Sequence, residues 1–334
     1  MKKYSIILLL TLIILSALSI INNSQINQLK IYESNLFYMD TYINIKIWHN
    51  NNQEATKILS EIDQIYNHYH QLSDRYNPYP NRINLYTIAN NTSQEEYLTI
   101  EQDLYDLLVY GKEWYQKSKG LLNINLGNVI DVWKKYREAD FGIPTIEELQ
   151  NSGSTNIEEI VLANNTIKNT HPNIDLGSIS KGYATKKVGE YLQAKNIKHY
   201  LINAGGNVLV GEKYPNKKFN IGIENPNPEG GIFKTIQGNN IAVITSGGYE
   251  RNYIYNNTLY HHIINPNTYM PENHMKSVTV ITQDSSLGDA LSTILFLMTI
   301  EEGQAYLKSF PNVQAIWYTN DDQIITTKGI SKYE

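Results

Sequence analysis

The stretch HYLINAGGNVLVG, residues 199–211, contains two apolar, β-type segments separated by a pair of glycines. Three more segments of the same kind follow it along the chain: FNIGIE (219–224), IAVITS (241–246) and KSVTVIT (276–282). Short runs rich in Val, Ile and Tyr and bounded by Gly, Asn or Pro are typical of strands. Because the strands come in a run and the helices are inserted irregularly, the pattern predicts an α+β fold and not a strict βαβ alternation.

Helices and further β-structure are predicted around this run of strands. Apolar residues at helical spacing, such as Ile58, Ile62, Ile65 and Tyr69 in the first of them, predict helices over about 52–76, 101–118, 142–153, 178–196 and 285–298. Ser285 or Ser286 is expected to cap the last helix. Alternation and turn residues predict a strand over 36–48 and a hairpin over 158–169 that turns at Asn164-Asn165.

The composition excludes several classes of protein. The chain of 334 residues has a net charge of −5 and no basic cluster, which argues against a nucleic-acid partner. It has no cysteine, so it carries no disulfide, no thiol nucleophile, no cysteine-based zinc site and no lipoprotein anchor.

The first 22 residues read as a signal peptide or a membrane anchor. Lys2 and Lys3 precede an apolar run from Tyr4 to Ile21. Lysines on one side of such a run are expected to stay in the cytoplasm, so the chain after the run is expected to lie outside. The alternative is a buried core helix at the terminus. We therefore expect a linker over 23–34 and one folded domain over 35–334, which is extracytoplasmic and either tethered to the membrane or secreted after cleavage.

Two segments, 173–192 and the glycine pair at 205–206, suggest a site for an anion. In NIDLGSISKGYATKKVGEYL (173–192), Lys181 lies at the start of a helix, where free N–H groups and the helix dipole favour negative charge. A solvated lysine at an ordinary helix start is the alternative. Gly205 and Gly206 indicate either a plain β-bulge or a place where a flat ring or a phosphate passes close to the backbone.

The segment TSGGYERNYIYNNTLYHHIINPNTY (245–269) concentrates polar residues that are suited to chemistry. Its glycine turn offers backbone donors, and Arg251 offers a fork for a phosphate or a carboxylate. His261 and His262 are neighbours on an extended segment, so they are expected to face opposite sides, and one of them is expected to be structural or exposed.

Asp289 and Thr293 are one turn apart in GDALSTILF and share a helix face. Both bring hard oxygen ligands, and two protein oxygens with phosphate and water are a common way to hold magnesium. An intrahelical hydrogen bond between the two side chains is the alternative. Zinc is not expected, because no nitrogen ligand has suitable spacing.

Taken in order, these motifs resemble those of the FAD:protein FMN transferase (ApbE) family. The resemblance runs from about Met39 to Trp317 and includes weaker matches in 38–42, 72–83 and 125–134. It implies a single large α+β domain with an ApbE-like, T-fold-related architecture of mixed and antiparallel sheets and packed helices. It also implies magnesium-dependent transfer of the FMN part of FAD to a Thr or Ser hydroxyl of an acceptor redox protein, with release of AMP.

The resemblance also assigns roles to individual residues. Asp289, Thr293 and the backbone carbonyl of Ser180 would hold Mg²⁺, and Asp289 and His262 would be catalytic. His262 would take the proton of the acceptor hydroxyl, with a near-neutral pKa suited to a general base. The residues expected to bind FAD are Met39, Lys181, Gly182, Asn203, Gly205, Gly206, Ser246, Gly247, Arg251 and His262.

The sequence departs from the family pattern at four positions. Asn265 replaces an Asp, Tyr269 a Gly, Asn207 an Asp, and Lys186 stands where an acidic residue is common. Because tyrosine does not adopt positive φ cheaply, Tyr269 predicts a reshaped loop after Pro266. Two other functions therefore remain open: a metal-dependent FAD pyrophosphatase, and a non-catalytic FAD-binding protein.

Overall fold

The computed structural model describes residues 28–334. The predicted signal or anchor segment, 1–22, lies outside the described residues. Between residues 28 and 334, no helix combines the length and the apolar character needed to cross a membrane. The helices of this part are Asn52–Ser73 (α1), Leu85–Ala89 (α2), Gln102–Lys117 (α3), Gly127–Ala139 (α4), Ile146–Gln150 (α5), Ser180–Ala194 (α6), Ser285–Phe296 (α7) and Ile300–Tyr306 (α8).

A sheet of eight strands organises the fold, with every neighbouring pair antiparallel, in the order β1-β2-β6-β7-β10-β13-β14-β15. Its strands are Lys30–Tyr38 (β1), Thr41–His49 (β2), Tyr200–Ala204 (β6), Asn207–Val210 (β7), Ile241–Gly247 (β10), Met275–Thr282 (β13), Gln314–Thr319 (β14) and Ile324–Thr326 (β15). Three small sheets contain Tyr97–Thr99 (β3), Leu162–Ala163 (β4), Thr166–Lys168 (β5), Phe219–Glu224 (β8), Ile232–Gly238 (β9), Asn252–Tyr255 (β11) and Thr258–His261 (β12). The α+β prediction is confirmed.

The large sheet separates two apolar cores. On one face, α1, α6 and α7 bury the alternate residues of β2, Ile43, Ile45 and Ile47, in the main core. On the other face, the β8–β9 hairpin covers the sheet through Phe219, Ile221 and neighbouring aliphatic side chains. Because both faces are covered, β10 and β13 are buried along nearly their whole length.

The segment predicted as one strand, 36–48, is a hairpin, and the prediction is wrong in this respect. Met39 and Asp40 form the turn between β1 and β2, with φ of 53° and 55°. A strong β pattern on both sides and the lack of a turn glycine concealed the reversal of direction. The folded part also begins before residue 35, because residues from Lys30 onward belong to β1 and not to a linker.

Gly205 and Gly206 form a hairpin turn between β6 and β7, and not a bulge in one strand. Both have left-handed φ, 55° and 80°, which a two-residue hairpin turn requires and which glycine adopts without strain. A Cβ atom on Gly205 would lie 2.4 Å from Cγ2 of Thr41. The two hairpin turns therefore touch at one end of the sheet, called here the turn end, where β10 also ends.

The remaining elements confirm the predicted helices and add others that were missed, among them the short helices α2 and α8. The five predicted helices are α1, α3, α5, α6 and α7 with shorter bounds, and the hairpin at Asn164-Asn165 is present. The cap of α7 is Asp284, whose carboxylate accepts the N–H groups of Ser286 and Leu287, so the prediction of a serine cap is wrong. Helix α4 and the β11–β12 hairpin were not predicted, because lysines and tyrosines blur their apolar pattern.

Candidate functional site

The first corner of the site is the contact between α6 and α7. The N–H of Gly182, the third residue of α6, donates to Oδ2 of Asp289 at 2.7 Å. A Cβ on Gly182 would lie 2.3 Å from Cβ of Asp289 and 2.6 Å from the backbone oxygen of Ser285. Glycine is therefore required for the helices to approach this closely, and the carboxylate lies where the helix N-terminus is electropositive.

Burial and neighbouring groups together set the pKa of the Asp289 carboxyl. The side chain is 5% exposed, and burial raises the pKa of this carboxyl above its usual value, while the charge of Lys181 and the hydrogen bond from Gly182 act in the opposite direction. The side chain of Asn207 also lowers the pKa of this carboxyl by hydrogen bonding. A buried carboxylate with few neighbouring donors is suited to bind a cation.

Hydroxyl groups lie on the same side of α7. Oγ1 of Thr293 is 3.4 Å from the backbone oxygen of Asp289 and 3.4 Å from Oγ of Ser246. Ser246 also contacts Ser292, with 2.8 Å between the two Oγ atoms. The alternative of a hydrogen bond between the Asp289 and Thr293 side chains is therefore not observed, because the threonine hydroxyl bonds to the backbone.

These oxygen donors fit a hard divalent cation that takes its other ligands from phosphate and water. Ser180 is the first residue of α6, so its carbonyl lies at the same helix end as the Gly182 N–H. Within residues 28–334, no group of three or more His, Cys, Asp or Glu side chains has the arrangement of a metal site. The single carboxylate could serve such a cation where a bound substrate supplies phosphate oxygens.

The second corner contains His262, at the end of the β11–β12 hairpin. Arg251 precedes β11 and His262 follows β12, and the pairing of Asn252 with His261 brings both ends of the hairpin together. The Nδ1 atom of His262 is buried and has no hydrogen-bond partner among the described residues.

The surroundings of His262 keep it uncharged. Burial and then the positive charge of Arg251 lower its pKa to about 3, with smaller contributions from His261, Lys181 and Arg137. The expectation of a near-neutral pKa is therefore wrong for the chain alone, because this imidazole is buried and several cations lie near it. Cations that gather without a carboxylate between them favour an anion as their occupant.

The two histidines face opposite sides, as predicted, and His261 is structural. Its Nδ1 accepts the N–H of Ile263 at 3.1 Å, so its Nε2 is the protonated nitrogen and donates to the backbone oxygen of Glu272 at 2.6 Å. A Cβ on Gly248 would lie 2.6 Å from Cδ2 of this ring. One glycine of the TSGG turn therefore makes room for His261.

The structure brings the other predicted FAD-binding residues to the turn end. Arg251 donates from Nη2 to the backbone oxygen of Asp40, next to Met39, at 3.4 Å. The N–H of Gly206 donates to Oδ1 of Asn203 at 3.3 Å, and its carbonyl accepts the N–H of Thr245 at 3.1 Å, immediately before Ser246 and Gly247. Residues from four separate motifs thus form one surface beside the two corners.

Tyr269 adopts the left-handed conformation that favours glycine, with φ of 60°. Its backbone oxygen accepts the Nε1–H of Trp133 at 2.7 Å, its N–H donates to the oxygen of Asn265 at 2.8 Å, and its hydroxyl lies 2.9 Å from Oγ1 of Thr155. The loop is therefore not reshaped to avoid positive φ at Tyr269, contrary to the prediction, because surrounding hydrogen bonds hold the strained turn in place.

The other departures are also accommodated by neighbours. Nδ2 of Asn265 donates to Oε2 of Glu272 at 2.8 Å. Lys186 forms an ion pair with Asp284 at 2.7 Å, and Asn207 accepts a hydrogen bond from Oγ of Ser285 at 2.7 Å. Lys186 is therefore neutralised by the cap of α7.

Sequence reasoning missed Arg75, which holds the segment leading into α6 in place. Its buried guanidinium donates to Asp131 of α4 at 2.8 Å, to Asp175 at 3.1 Å and to Oδ1 of Asn173 at 2.6 Å. These partners lie in two of the matched segments, 125–134 and 173–192, and Arg75 itself lies in a third, 72–83. Arg75 joins them and fixes the segment that enters α6, and no local pattern in the sequence signals this.

The fold and the site together define an α+β domain whose site combines a buried carboxylate and hydroxyl groups with several cationic side chains. The ApbE family model matches residues 39–317, and the chain belongs to this family.

Individual relatives agree with this assignment. The FAD:protein FMN transferase of Vibrio cholerae is 29% identical over 275 residues, which are 80% of this chain and 81% of that protein. That of Klebsiella pneumoniae is 28% identical over 244 residues, 71% of this chain and 75% of that protein.

Solved structures show the same fold. The crystal structure of the ApbE protein from Thermotoga maritima has a TM-score of 0.80 at 22% identity and covers 91% of this chain and 99% of that one. The flavin transferase ApbE from Vibrio cholerae has a TM-score of 0.74 at 22% identity and covers 92% of this chain and 100% of that one.

Proposed function

We propose that this chain is a magnesium-dependent FAD:protein FMN transferase, which links the FMN part of FAD to a Thr or Ser hydroxyl of an acceptor redox protein. Membership of the ApbE family and the names of its relatives support flavin transfer. The observation that carries the proposal is His262, an uncharged imidazole whose buried Nδ1 has no partner among the described residues and which is surrounded by cations.

In the proposed reaction, a bond forms between the acceptor oxygen and the phosphorus of the FMN phosphate. The bond from that phosphorus to the oxygen of the AMP phosphate breaks, the hydroxyl proton passes to His262, and AMP leaves. Such a transfer depends mainly on positioning and on neutralising charge, which is what a site lined with cations and backbone donors provides.

The protein residues divide this work. Asp289, Thr293 and the carbonyl of Ser180 would hold Mg²⁺, which supplies charge neutralisation on the phosphate oxygens when bound. Lys181 and Arg251 would bind the pyrophosphate. An anion there would offset the charges that lower the pKa of His262, so substrate binding would raise that pKa and make the imidazole a better proton acceptor.

The N-terminal segment leads to a second part of the proposal. An apolar run after two lysines supports a location outside the cytoplasmic membrane, either tethered or released by cleavage. The mass of the mature N-terminus distinguishes a retained anchor from a cleaved signal.

The decisive experiment incubates the full chain with FAD, Mg²⁺ and a target domain that carries a Ser/Thr-Gly-Ala-Thr segment. Gain of FMN mass by the target supports transfer, and a target in which the last threonine of this segment is replaced by alanine is the control. Release of AMP and free FMN without an adduct would indicate a pyrophosphatase instead. Stable FAD binding with neither product would indicate a binding protein.

A further inference from the structure

Helix α4 and the loop after it are fixed against the hairpin that ends in His262. The ring of Trp133 stacks on that of Tyr260 with 5.6 Å between centroids. The hydroxyl of Tyr253 donates to the backbone oxygen of Gly142 at 2.9 Å. The orientation of α4 relative to the catalytic imidazole is therefore set by two independent contacts.

Arg137 lies one turn beyond Trp133 on the same face of α4 and so faces the hairpin. Within the described part of the chain, no carboxylate lies at ion-pair distance from it, and the nearby Glu138 pairs with Lys134 at 3.8 Å. Burial and the charge of Arg251 both lower the pKa of Arg137. Two cations held together in this way need an anionic group from outside the chain.

Phe141 lies two residues beyond the end of α4, after the left-handed cap residue Asp140, and is 70% exposed. Its ring meets the ring of Tyr255 edge-on at 5.4 Å, so it is held in place although solvent covers most of it. An exposed aromatic ring that a neighbour holds in place is typical of a protein interface, where aromatic and arginine side chains are enriched.

We propose that Arg137 and Phe141, called here the docking pair, receive the acceptor protein. The acceptor would present a carboxylate to Arg137, whose charge acts on His262, and an apolar side chain to Phe141, which contacts Tyr255 near the turn of the β11–β12 hairpin. This inference rests on the proposed function. It assigns Arg137 to the acceptor because α4 carries no residue of the predicted FAD-binding set, whereas Arg251 and Lys181 belong to that set.

The test measures KM for the target domain and for FAD separately, in the full-length chain. Arg137→Gln and Phe141→Ser are each expected to raise KM for the target about five- to tenfold, with KM for FAD unchanged. Arg137→Lys should recover most of the loss because it keeps the charge. Ile31→Ser is the matched control, since Ile31 is 57% exposed on β1 at the end of the sheet away from the turns.

A charge exchange strengthens the test. A target domain whose acidic residues beside the acceptor segment are changed to lysine should be modified poorly by the wild-type chain and better by Arg137→Glu. Thermal unfolding checks that each variant is folded. If Arg137→Gln does not fold, Phe141→Ser still tests the docking pair.

The outcomes separate the two proposals. If the wild type adds no FMN to the target, the proposed function is wrong and the docking pair with it. If the wild type is active and the variants equal it, only the docking inference is wrong. A raised KM for FAD with an unchanged KM for the target would place Arg137 in the FAD site.

Discussion

Asp289 and His262 lie in two corners of the same site, and burial moves their pKa values in opposite directions. In the α6–α7 corner, burial raises the pKa of the Asp289 carboxyl. In the hairpin corner, burial and neighbouring cations lower the pKa of His262 to about 3. The cause is common to both corners, because a low-dielectric environment disfavours the charged form of an acid and of a base alike.

The comparison shows that each corner lacks the charge that its proposed ligand would bring. A divalent cation would favour the ionised form of Asp289, and a pyrophosphate would offset the cations around His262. Lys181 lies between the corners, since its charge lowers the pKa of both side chains. A metal bound to a dinucleotide would satisfy both corners at once.

The largest effect is expected from Asp289→Asn. The amide can still accept the N–H of Gly182, so the fold is kept, but the anionic oxygen ligand is lost. Transfer should fall by on the order of a thousandfold, as when a main electrostatic contact to a phosphoryl group is removed. Initial rates over a range of Mg²⁺ concentrations measure this, and near-wild-type turnover would remove Asp289 from the metal site.

His262→Gln is expected to have the next largest effect. Loss of a general base typically costs about a hundredfold or more in rate, whereas the site for FAD is left largely intact. FMN addition to the target and FAD binding by fluorescence should therefore separate. Equal rates in variant and wild type would show that His262 does not accept the proton.

The next effects are smaller. His262 and Asp289 are expected to change the pH dependence of stability in opposite directions. Unfolding returns His262 from a pKa of about 3 to 6.5, so its contribution to stability is complete above pH 6.5 and is lost as the pH falls toward 3. The pKa of Asp289 is raised in the fold, so its contribution is present below pH 3.8 and is lost as the pH rises through the raised value.

The two variants should therefore stabilise the protein in different pH ranges. Asp289→Asn should raise Tm at neutral pH, and His262→Gln should raise it near pH 4, each by about 3 °C. Thermal unfolding from pH 3 to 8 measures both. Parallel curves for the two variants would contradict the comparison of the corners.

The smallest effect is expected at Tyr269, which bounds the loop after His262. Tyr269→Phe removes only the contact of its hydroxyl with Thr155 and should cost about 1 kcal/mol. Tyr269→Gly loses more packing contacts but removes the strain of a positive φ at a tyrosine. Because the two changes in the free energy of unfolding oppose each other, a net cost similar to that of Tyr269→Phe is expected. Denaturant unfolding compares them, and a loss of several kcal/mol in the glycine variant would mean that left-handed strain is unimportant here.

Much of the fold could be predicted from local pattern, and the exceptions have identifiable causes. Strands β7, β10 and β13 and helices α1, α6 and α7 follow from β-branched runs and helical periodicity. The Met39-Asp40 turn was missed because no glycine marks it, and α4 was missed because polar residues outnumber its buried ones, Val129, Val132 and Trp133. Asp284 was passed over as a cap because two serines follow it.

The candidate site shows a similar division. Lys181, Gly182, Arg251, His262 and Asp289 were identified because each stands in a motif with unusual local chemistry. Arg137, Phe141 and Arg75 were not, because a single arginine or phenylalanine has no local signature. Their importance depends on partners far away along the chain.

The sequence by itself determined the α+β class, the family and the types of side chain that are available for phosphate chemistry, because these depend on periodicity and on motifs within short segments. Only the tertiary structure decided the protonation preferences of Asp289 and His262, the purpose of the glycines at 182, 205 and 248, and the support from Arg75. Burial, close backbone approach and the field of neighbouring charges are properties of residues brought together by folding, and no short segment contains them.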